Sequence, residues 1–242
     1  MKNIVISLDE THHLQNGKPL YSNRFDKVQS FHFPLGYAAV ISDGRAIFIN
    51  LEGKSVFERS FKKAFGFYDG IATVLDDSGF FHISEQGKNI HSQRFAWSGN
   101  YQEGVCVVED IESKLFFHID RKCNPIYAKQ YSYVGDYRYG VAVITNIDGL
   151  CTHIDIQGQL LHGKYFLELE IYHKGYAVAK DEKGYFHINK SGEAIYNERY
   201  NKLEPFYNDR ALAIDQYGTR VIIATDGRTV VKINSHNTKA IG

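Results

Sequence analysis

A segment that recurs along the whole chain at a fixed spacing constrains the fold more than any other feature. A turn glycine is followed eight residues later by an aromatic residue, as in Gly53 and Phe61 or Gly192 and Tyr200. A repeat of about 35 residues is one supersecondary unit that buries its core by stacking on its neighbours, so the spacing predicts a repeat protein. The same spacing joins Gly17 to Phe25, Gly87 to Phe95, Gly158 to Phe166 and, with cysteine in place of glycine, Cys123 to Tyr131.

Each unit is predicted to form four short β-strands, which we label A to D. Examples are "RYNKLEPFY" for A, "GYAVAKDE" for B, "YFHIN" for C and "AIYNE" for D. β-Branched and aromatic residues alternate with polar ones between clusters of Gly, Asp, Asn and Ser, which favours strands. Asn50, three residues before Gly53, is typical of the hairpin turn expected between C and D. No segment has a helical pattern.

Strand A carries a second aromatic residue six positions after the first, and strand B carries a small residue five positions later still. Phe67 and Ala72 follow Phe61 in this way. In the first full unit we expect a count two residues longer, with Phe33 in the aromatic position before Gly36. The fixed small residue predicts that a neighbouring strand approaches closely, and the aromatic pair predicts packing between units.

The repeat defines one all-β domain over residues 1–242, predicted to be a β-propeller of about seven small blades. Residues 1–24 supply strands B, C and D of a unit without its A, and the tail 234–242 is long enough to supply that strand. A propeller of six blades and an open stack of hairpins remain open, because about 35 residues is short for a four-stranded blade. The complete units are expected to start near residues 25, 61, 95, 131, 166 and 200.

Composition and charge exclude several classes of protein. Lys plus Arg equals Asp plus Glu at 28 each, so a nucleic acid would meet no overall positive field. No run of about eighteen apolar residues could cross a membrane as a helix. The start "MKNIVISLDETHH" is unlike a secretory signal, and three cysteines without C-x-x-C spacing argue against a disulfide framework or a thiolate zinc site. These features predict a cytoplasmic protein.

Motifs of the common enzyme classes are missing from the sequence. It contains no G-x-S-x-G elbow, no phosphate-binding G-x-x-x-x-G-K-[ST] loop, no G-x-G-x-x-G and no H-E-x-x-H. Cys106 occupies the small-residue position of strand B, where packing is expected rather than nucleophilic chemistry. We therefore expect no catalytic activity, no cofactor and no metal.

Histidines recur at one position of strand C, two residues before Asp120 and Asp155 in two of the units. Such pairs could bind a metal or relay a proton. Because Ser84 and Asn189 replace the aspartate elsewhere, we favour a structural histidine that donates one N–H to a backbone carbonyl of the next unit. A second ring with a polar atom recurs in strand D, which suits half-buried packing, with sugar stacking as the alternative. The strand C histidines are His82, His118, His153 and His187; the strand D rings are Tyr21, His91, Tyr127, His162 and Tyr196.

Charged residues cluster at one end of the units. Acidic residues gather at the B–C turns and bases near the start of strand A, and both connections are expected at the same end of the molecule. Local ion pairs are the simpler expectation, and a charged rim that selects a partner is the alternative. The acidic residues are Asp43, Asp76, Asp77, Glu109, Asp110, Asp148, Asp181, Glu182 and Asp215; the bases are Arg24, Arg94, Lys129, Lys164 and Arg199.

The frame of the repeat, with Phe-His-Ile-Asp at residues 117–120, resembles the WG-repeat family of bacterial β-repeats over nearly the whole chain. That family usually carries Trp-Gly-Phe/Tyr-Ile-Asp in strand C, so this chain resembles a divergent branch that bears histidine. The only tryptophan, Trp97, lies in strand A. Because no general catalytic activity attaches to the repeat, the resemblance implies a binding or scaffolding part. Members similar to it occur alone or joined to enzymes such as methyltransferases.

The segment that departs most from the average unit is the candidate binding site. Leu150, Cys151 and Thr152 replace the aromatic start of strand C, and "FLELEIYH" follows. Sites on repeat proteins often lie where the repeat is broken. We expect recognition of a protein or peptide partner, with a glycan or small-ligand propeller and a substrate-capture domain of a modifying enzyme as alternatives. The predicted site residues are His153, His162, Tyr165, Tyr172 and His173.

Overall fold

The computed structural model describes residues 3–233, and within this range it contains β-strands, turns and loops but no helix. Twenty-two strands form seven sheets, of which six have three strands and the last has four. Every paired neighbour is antiparallel, and the strands of each sheet follow one another in chain order. The predicted fold class, an all-β repeat of about seven small propeller-type sheets, is confirmed.

The bounds of the strands repeat from sheet to sheet. Sheet 1 contains β1 (Ile4–Ile6), β2 (His13–Gln15) and β3 (Lys18–Pro19); sheet 2 contains β4 (Lys27–Val28), β5 (Ala38–Ser42) and β6 (Arg45–Ile49); sheet 3 contains β7 (Lys63–Tyr68), β8 (Ile71–Asp76) and β9 (Gly79–Ser84); sheet 4 contains β10 (Trp97–Ser98), β11 (Val105–Glu109) and β12 (Phe116–Asp120). Sheet 5 contains β13 (Tyr133–Val134), β14 (Val141–Thr145) and β15 (Cys151–Asp155); sheet 6 contains β16 (Glu168–Leu169), β17 (Ala177–Asp181) and β18 (Gly184–Ile188); sheet 7 contains β19 (Lys202–Leu203), β20 (Arg210–Ile214), β21 (Arg220–Ala224) and β22 (Thr229–Ile233).

The first strand of each sheet from 2 to 7 occupies the same position of the repeat. In each of sheets 2 to 7 the first strand begins two residues after the predicted unit start, as β7 begins at Lys63 after Phe61. Sheet 1 consists of strands B, C and D, as expected for the partial unit. The strand A that the tail 234–242 was predicted to supply lies outside the described residues.

The chain divides into two compact units at a repeat boundary. Unit 1, Met1–Gln130, holds sheets 1 to 4, and unit 2, Tyr131–Gly242, holds sheets 5 to 7. Within each unit the core consists of aromatic rings between neighbouring sheets, such as Phe48 against Phe61 in unit 1 and Phe166 against Phe186 in unit 2. The aromatic residues that define the repeat therefore supply the packing between sheets, as the sequence predicts.

The small residue of strand B lies directly opposite the isoleucine of strand C. Ala72 pairs with Ile83 and Cys106 with Ile119, and all four side chains are buried. A larger side chain would meet the facing isoleucine in an interior without space, which explains why the position is always small. The other opposed pairs are Ala38 and Ile49, Ala142 and Ile154, Ala177 and Ile188, and Ala211 and Ile223.

The turn glycine between strands C and D meets two requirements at once. Gly53 has φ of +73°, and a Cβ placed on it would lie 2.6 Å from the ring of Tyr21 in the preceding unit. The strand D ring of one unit thus covers the turn of the next. Gly192 under His162 and Gly227 under Tyr196 repeat this arrangement. Glycine is therefore required here both by backbone conformation and by ring packing.

Strand D is shorter than predicted in sheets 2 to 6. In sheet 2 it is reduced to a single bridge between Ile49 and Ser55. The first part of strand C pairs instead with the entry to the next unit, where Ala46 and Phe61 exchange two backbone hydrogen bonds of 2.8 and 2.9 Å. Because a five-residue strand C shares its outer edge between these two partners, no room remains for a full strand D.

The two extra residues of the first complete unit lie in a turn. Phe31 keeps the six-residue spacing from Phe25 and packs on His13, with ring centroids 4.3 Å apart. Phe33 is 47% exposed. The prediction that Phe33 fills the strand A aromatic position is therefore wrong, because the insertion lengthens the turn that follows the aromatic position.

Candidate functional site

Five buried histidines of strand C share one hydrogen bond, which joins Nδ1 to the ring of strand D. In each, Nδ1 meets the ring of strand D in its own unit, and in three of them Nε2 meets a backbone carbonyl of the next unit. The contacts are His13 with Tyr21 (2.5 Å) and Gln29 O (2.8 Å), His82 with His91 (2.8 Å) and Ser98 Oγ (2.9 Å), His118 with Tyr127 (2.5 Å), His153 with His162 (3.0 Å) and Glu170 O (3.0 Å), and His187 with Tyr196 (2.5 Å) and Glu204 O (3.0 Å).

The partners of His153 determine its tautomer. The carbonyl of Glu170 can only accept, so His153 donates from Nε2 and accepts at Nδ1 in its neutral form. The donor to that Nδ1 is His162 Nε2, and His162 in turn accepts at Nδ1 from the backbone N–H of Lys164, 3.2 Å away. Both rings are therefore neutral, with every nitrogen paired.

Burial favours the uncharged form of the strand C histidines in sheets 3, 5 and 6. It lowers the pKa of His153 and His187 to about 4 and that of His82 to about 3. Asp155, which shares a face with His153, uses Oδ1 to accept the N–H groups of the C–D turn. The arrangement is that of a structural histidine, and the predicted N–H bond to a carbonyl of the next unit is confirmed in three sheets.

His13 occupies the histidine position of the partial unit, which sequence reasoning missed. In other units the histidine lies five residues before the turn glycine, and the same count from Gly17 leads to His12. The C–D turn of sheet 1 has only two central residues, Asn16 and Gly17, both with positive φ. An Asn-Gly pair is the strongest short-range signal for such a turn. It could have corrected the count by one residue.

The structure brings together three of the five predicted site residues. His153 stacks on Tyr172 with centroids 4.2 Å apart and bonds to His162, and its side chain is fully buried. Tyr165 lies on the D–A connection and is 44% exposed. His173 lies on the A–B turn of sheet 6, at the other end of its unit. His162, Tyr172 and His173 are half-buried, so Tyr165 is the exposed member of this set.

The A–B turns of unit 2 carry exposed rings. Tyr139 is 94% exposed and has φ of +53°, and Tyr207 is 59% exposed. The ring of His173 lies 4.8 Å from that of Tyr207 on the next sheet, and its Nε2 is buried without a hydrogen-bond partner. We call Tyr139, His173 and Tyr207 the A–B turn surface.

Unit 1 repeats one element of this arrangement, because His32 lies 4.7 Å from Tyr68 on the next sheet. In both units the histidine directly follows the second aromatic residue of strand A, after Phe31 in one and after Tyr172 in the other. Sequence reasoning identified His173 but missed Tyr139 and Tyr207. The position after the second aromatic residue was the available signal for Tyr207.

At the opposite end, the B–C turns are tied to the D–A connections by ion pairs. Arg199 Nε lies 2.8 Å from Asp181, and its guanidinium stacks on Phe186 at 3.7 Å. Arg94 repeats this over Phe81, with Asp76 as its acidic partner. The expectation that both connections share one end and pair locally is confirmed at these two turns.

A groove of about 550 Å³ lies within unit 2, between sheets 6 and 7. At one end Glu168 accepts from Lys180 (2.5 Å) and from the hydroxyl of Tyr185 (2.6 Å), which holds the pKa of its carboxyl below the usual value. Burial raises the pKa of the Glu170 carboxyl. The charged lining residues are Glu168, Glu170, Glu204, Lys202 and Arg220, with aliphatic side chains of β19 and β20 between them.

The described part of the chain gives few signs of other chemistry. All three cysteines are free thiols. Among residues 3–233, no three His, Cys, Asp or Glu side chains are arranged to hold a metal ion. Over the same range, no helix could cross a membrane.

The comparison with protein families confirms the resemblance to the WG repeat. Residues 48–78 match the family model of the WG containing repeat. This WG-repeat segment runs from strand C of sheet 2 to the B–C turn of sheet 3, and its strand C carries Phe48 instead of histidine. No curated protein matches the chain.

Solved structures support the propeller-type fold. The chain is similar to BamB from Moraxella catarrhalis, a β-propeller, with a TM-score of 0.50, 11% identity, and coverage of 97% of this chain and 85% of that one. It is also similar to a eukaryotic initiation factor, with a TM-score of 0.57, 10% identity, and coverage of 96% and 72%. At this level of identity the likeness concerns the fold alone.

Proposed function

We propose that this chain is a non-enzymatic recognition module that binds a protein or peptide partner through the A–B turn surface. The propeller-type fold and the WG repeat both agree with a binding or scaffolding role. The module serves as an accessory part of a larger assembly. Its buried histidines hold neighbouring sheets together and take no part in chemistry.

The exposure of Tyr139 and Tyr207 is the observation that carries this proposal. Tyrosine is enriched among the residues that contribute most to protein interfaces, because it offers a large apolar ring and a polar tip. Tyr139 has φ of +53° and is 94% exposed, so its ring lies on the surface of the A–B turn.

Affinity capture with matched variants tests the proposal. The Tyr139→Ala/Tyr207→Ala protein should lose partners that the unmodified chain enriches from a lysate of its own cell. Tyr217→Ala is the control, because Tyr217 is also 94% exposed but lies on the B–C turn at the opposite end of sheet 7. Equal capture by all three proteins would refute the role of the A–B turn surface. A signal on a glycan array that depends on the same two tyrosines would favour the glycan alternative.

A further inference from the structure

One cross-strand row of sheet 4 contains two aromatic rings with a carboxylate between them. Trp97 on β10 pairs with Glu109 on β11, and Glu109 pairs with Phe116 on β12. Directly opposed residues point to the same face of a sheet with Cβ atoms about 5 Å apart, so the three side chains are neighbours. The ring centroids of Trp97 and Phe116 lie only 6.2 Å apart, with an angle of 61° between their planes. The two rings therefore converge on the side of the sheet where Glu109 lies.

Solvent reaches this row. Trp97 is 41% exposed, and Glu109 and Phe116 are half-buried. The next residue of strand A on the same face is Gly99, where a Cβ would lie 3.2 Å from the indole ring of Trp97. The glycine thus allows the indole to lie against the backbone of strand A. An aromatic ring held in this way and partly exposed offers a flat surface to a ligand.

Glu109 is not neutralised by a base of its own sheet. Within the described part of the chain, its carboxylate forms no ion pair and no hydrogen bond. Lys114, a base on the adjoining B–C turn, forms no ion pair in that range either. A carboxylate attracts a cation by its charge, and an aromatic face attracts it by its quadrupole. The row therefore combines two attractions for the same kind of ligand.

Sheet 6 shows how the same row of the repeat binds a cation. Its three members are Glu168, Lys180 and Tyr185. The ammonium of Lys180 lies 4.9 Å from the centroid of the Tyr185 ring and 2.5 Å from the Glu168 carboxylate. Sheet 6 supplies this cation from strand B, at the position where sheet 4 carries Glu109. The row of sheet 4 thus has the rings and the acid but takes no cation from its own strands.

We propose that Trp97, Glu109 and Phe116 bind the ammonium group of a lysine side chain in the partner. The carboxylate of Glu109 pairs with the charge, and the rings contact the ammonium and its aliphatic stem. This inference rests on the proposed function only in taking a peptide as the source of the lysine. It adds a second point of attachment, beside the B–C turn of sheet 4.

The fluorescence of Trp97 tests this assignment, because Trp97 is the only tryptophan of the chain. The full chain is titrated with N-acetyl-lysine amide and with its neutral Nε-acetylated form. The charged amide should give a saturable change, with an affinity about tenfold higher than that of the neutral one. Glu109→Gln should remove this preference. The control Glu112→Gln removes the same charge from the exposed B–C turn and should change nothing, and circular dichroism verifies that each variant is folded.

Equal affinity for the two amides, no response to either, or an unchanged preference in Glu109→Gln would overturn the inference. If neither amide binds while partner capture still depends on Tyr139 and Tyr207, the lysine site is wrong and the proposed function stands. If the charged amide binds through Glu109 but capture ignores both tyrosines, the lysine site stands and the A–B turn surface is wrong.

Discussion

Replacing the His187–Tyr196 pair with two phenylalanines tests whether the histidines are structural, because the chain contains this replacement in sheet 2 as Phe48 and Phe57. His187 is fully buried, accepts at Nδ1 from Tyr196, donates from Nε2 to Glu204 O and stacks on Phe206 at 3.8 Å. His187→Phe alone leaves a buried tyrosine hydroxyl without its acceptor. Since an unsatisfied buried group costs about 1–3 kcal/mol, and a carbonyl loses its donor as well, we expect a loss of about 2–4 kcal/mol.

Tyr196→Phe alone should cost about 1–3 kcal/mol, because Nδ1 of His187 is then left unpaired. In His187→Phe/Tyr196→Phe both polar atoms of the pair are gone, so the double variant should be more stable than the sum of the singles by about 1 kcal/mol or more. Urea unfolding followed by far-ultraviolet circular dichroism measures each free energy. Single variants within about 0.5 kcal/mol of the unmodified chain, or strict additivity, would refute the reasoning.

Three further predictions follow from the same geometry. Gly53→Ala should destabilise the fold by about 1–3 kcal/mol more than Gly17→Ala, as measured by thermal unfolding. Both glycines have φ near +75°, but only Gly53 lies under a ring. Equal losses of stability would contradict ring packing. Arg199→Lys should lower the free energy of unfolding in urea by about 1–2 kcal/mol, because the stack on Phe186 is lost. The exposed Arg228→Lys should lower it by about 0.5 kcal/mol or less. Equal effects would argue against the stack. The pKa of His153 and His187 is lowered to about 4 in the folded chain, so the unfolded chain binds protons first as the pH falls. The free energy of unfolding should therefore decrease between pH 6.5 and pH 4. This decrease should be smaller in His187→Phe/Tyr196→Phe, and an unchanged slope would contradict the prediction.

The repeat could be predicted from the sequence because each of its positions has a local or pairwise cause. The unit starts follow from the spacing of Gly53 and Phe61, the hairpin turns from Asn50 and its equivalents, and the small residue of strand B from the facing isoleucine. These constraints act between residues close in the chain or at one repeat apart. A single sequence therefore contains them many times over.

Features that occur once were harder to predict. The shift at His13 depends on a turn one residue shorter than the others, and the exposure of Phe33 depends on where a two-residue insertion is accommodated. The charge of the groove depends on which glutamate is bonded: Glu168 accepts from Lys180 and Tyr185 across the sheet, whereas no such donor is shown for Glu170. No spacing in the sequence distinguishes these two glutamates, because their difference arises from side-chain contacts between strands.

Nitrogen-15 spectroscopy of the histidine rings tests the central claim most directly, that these imidazoles are neutral structural groups between sheets. We predict that His13, His153 and His187 carry their proton on Nε2, and that His153 and His187 show no titration between pH 8 and pH 5.5. Resonances that report protonated rings at neutral pH, or that move on addition of zinc, would contradict the claim.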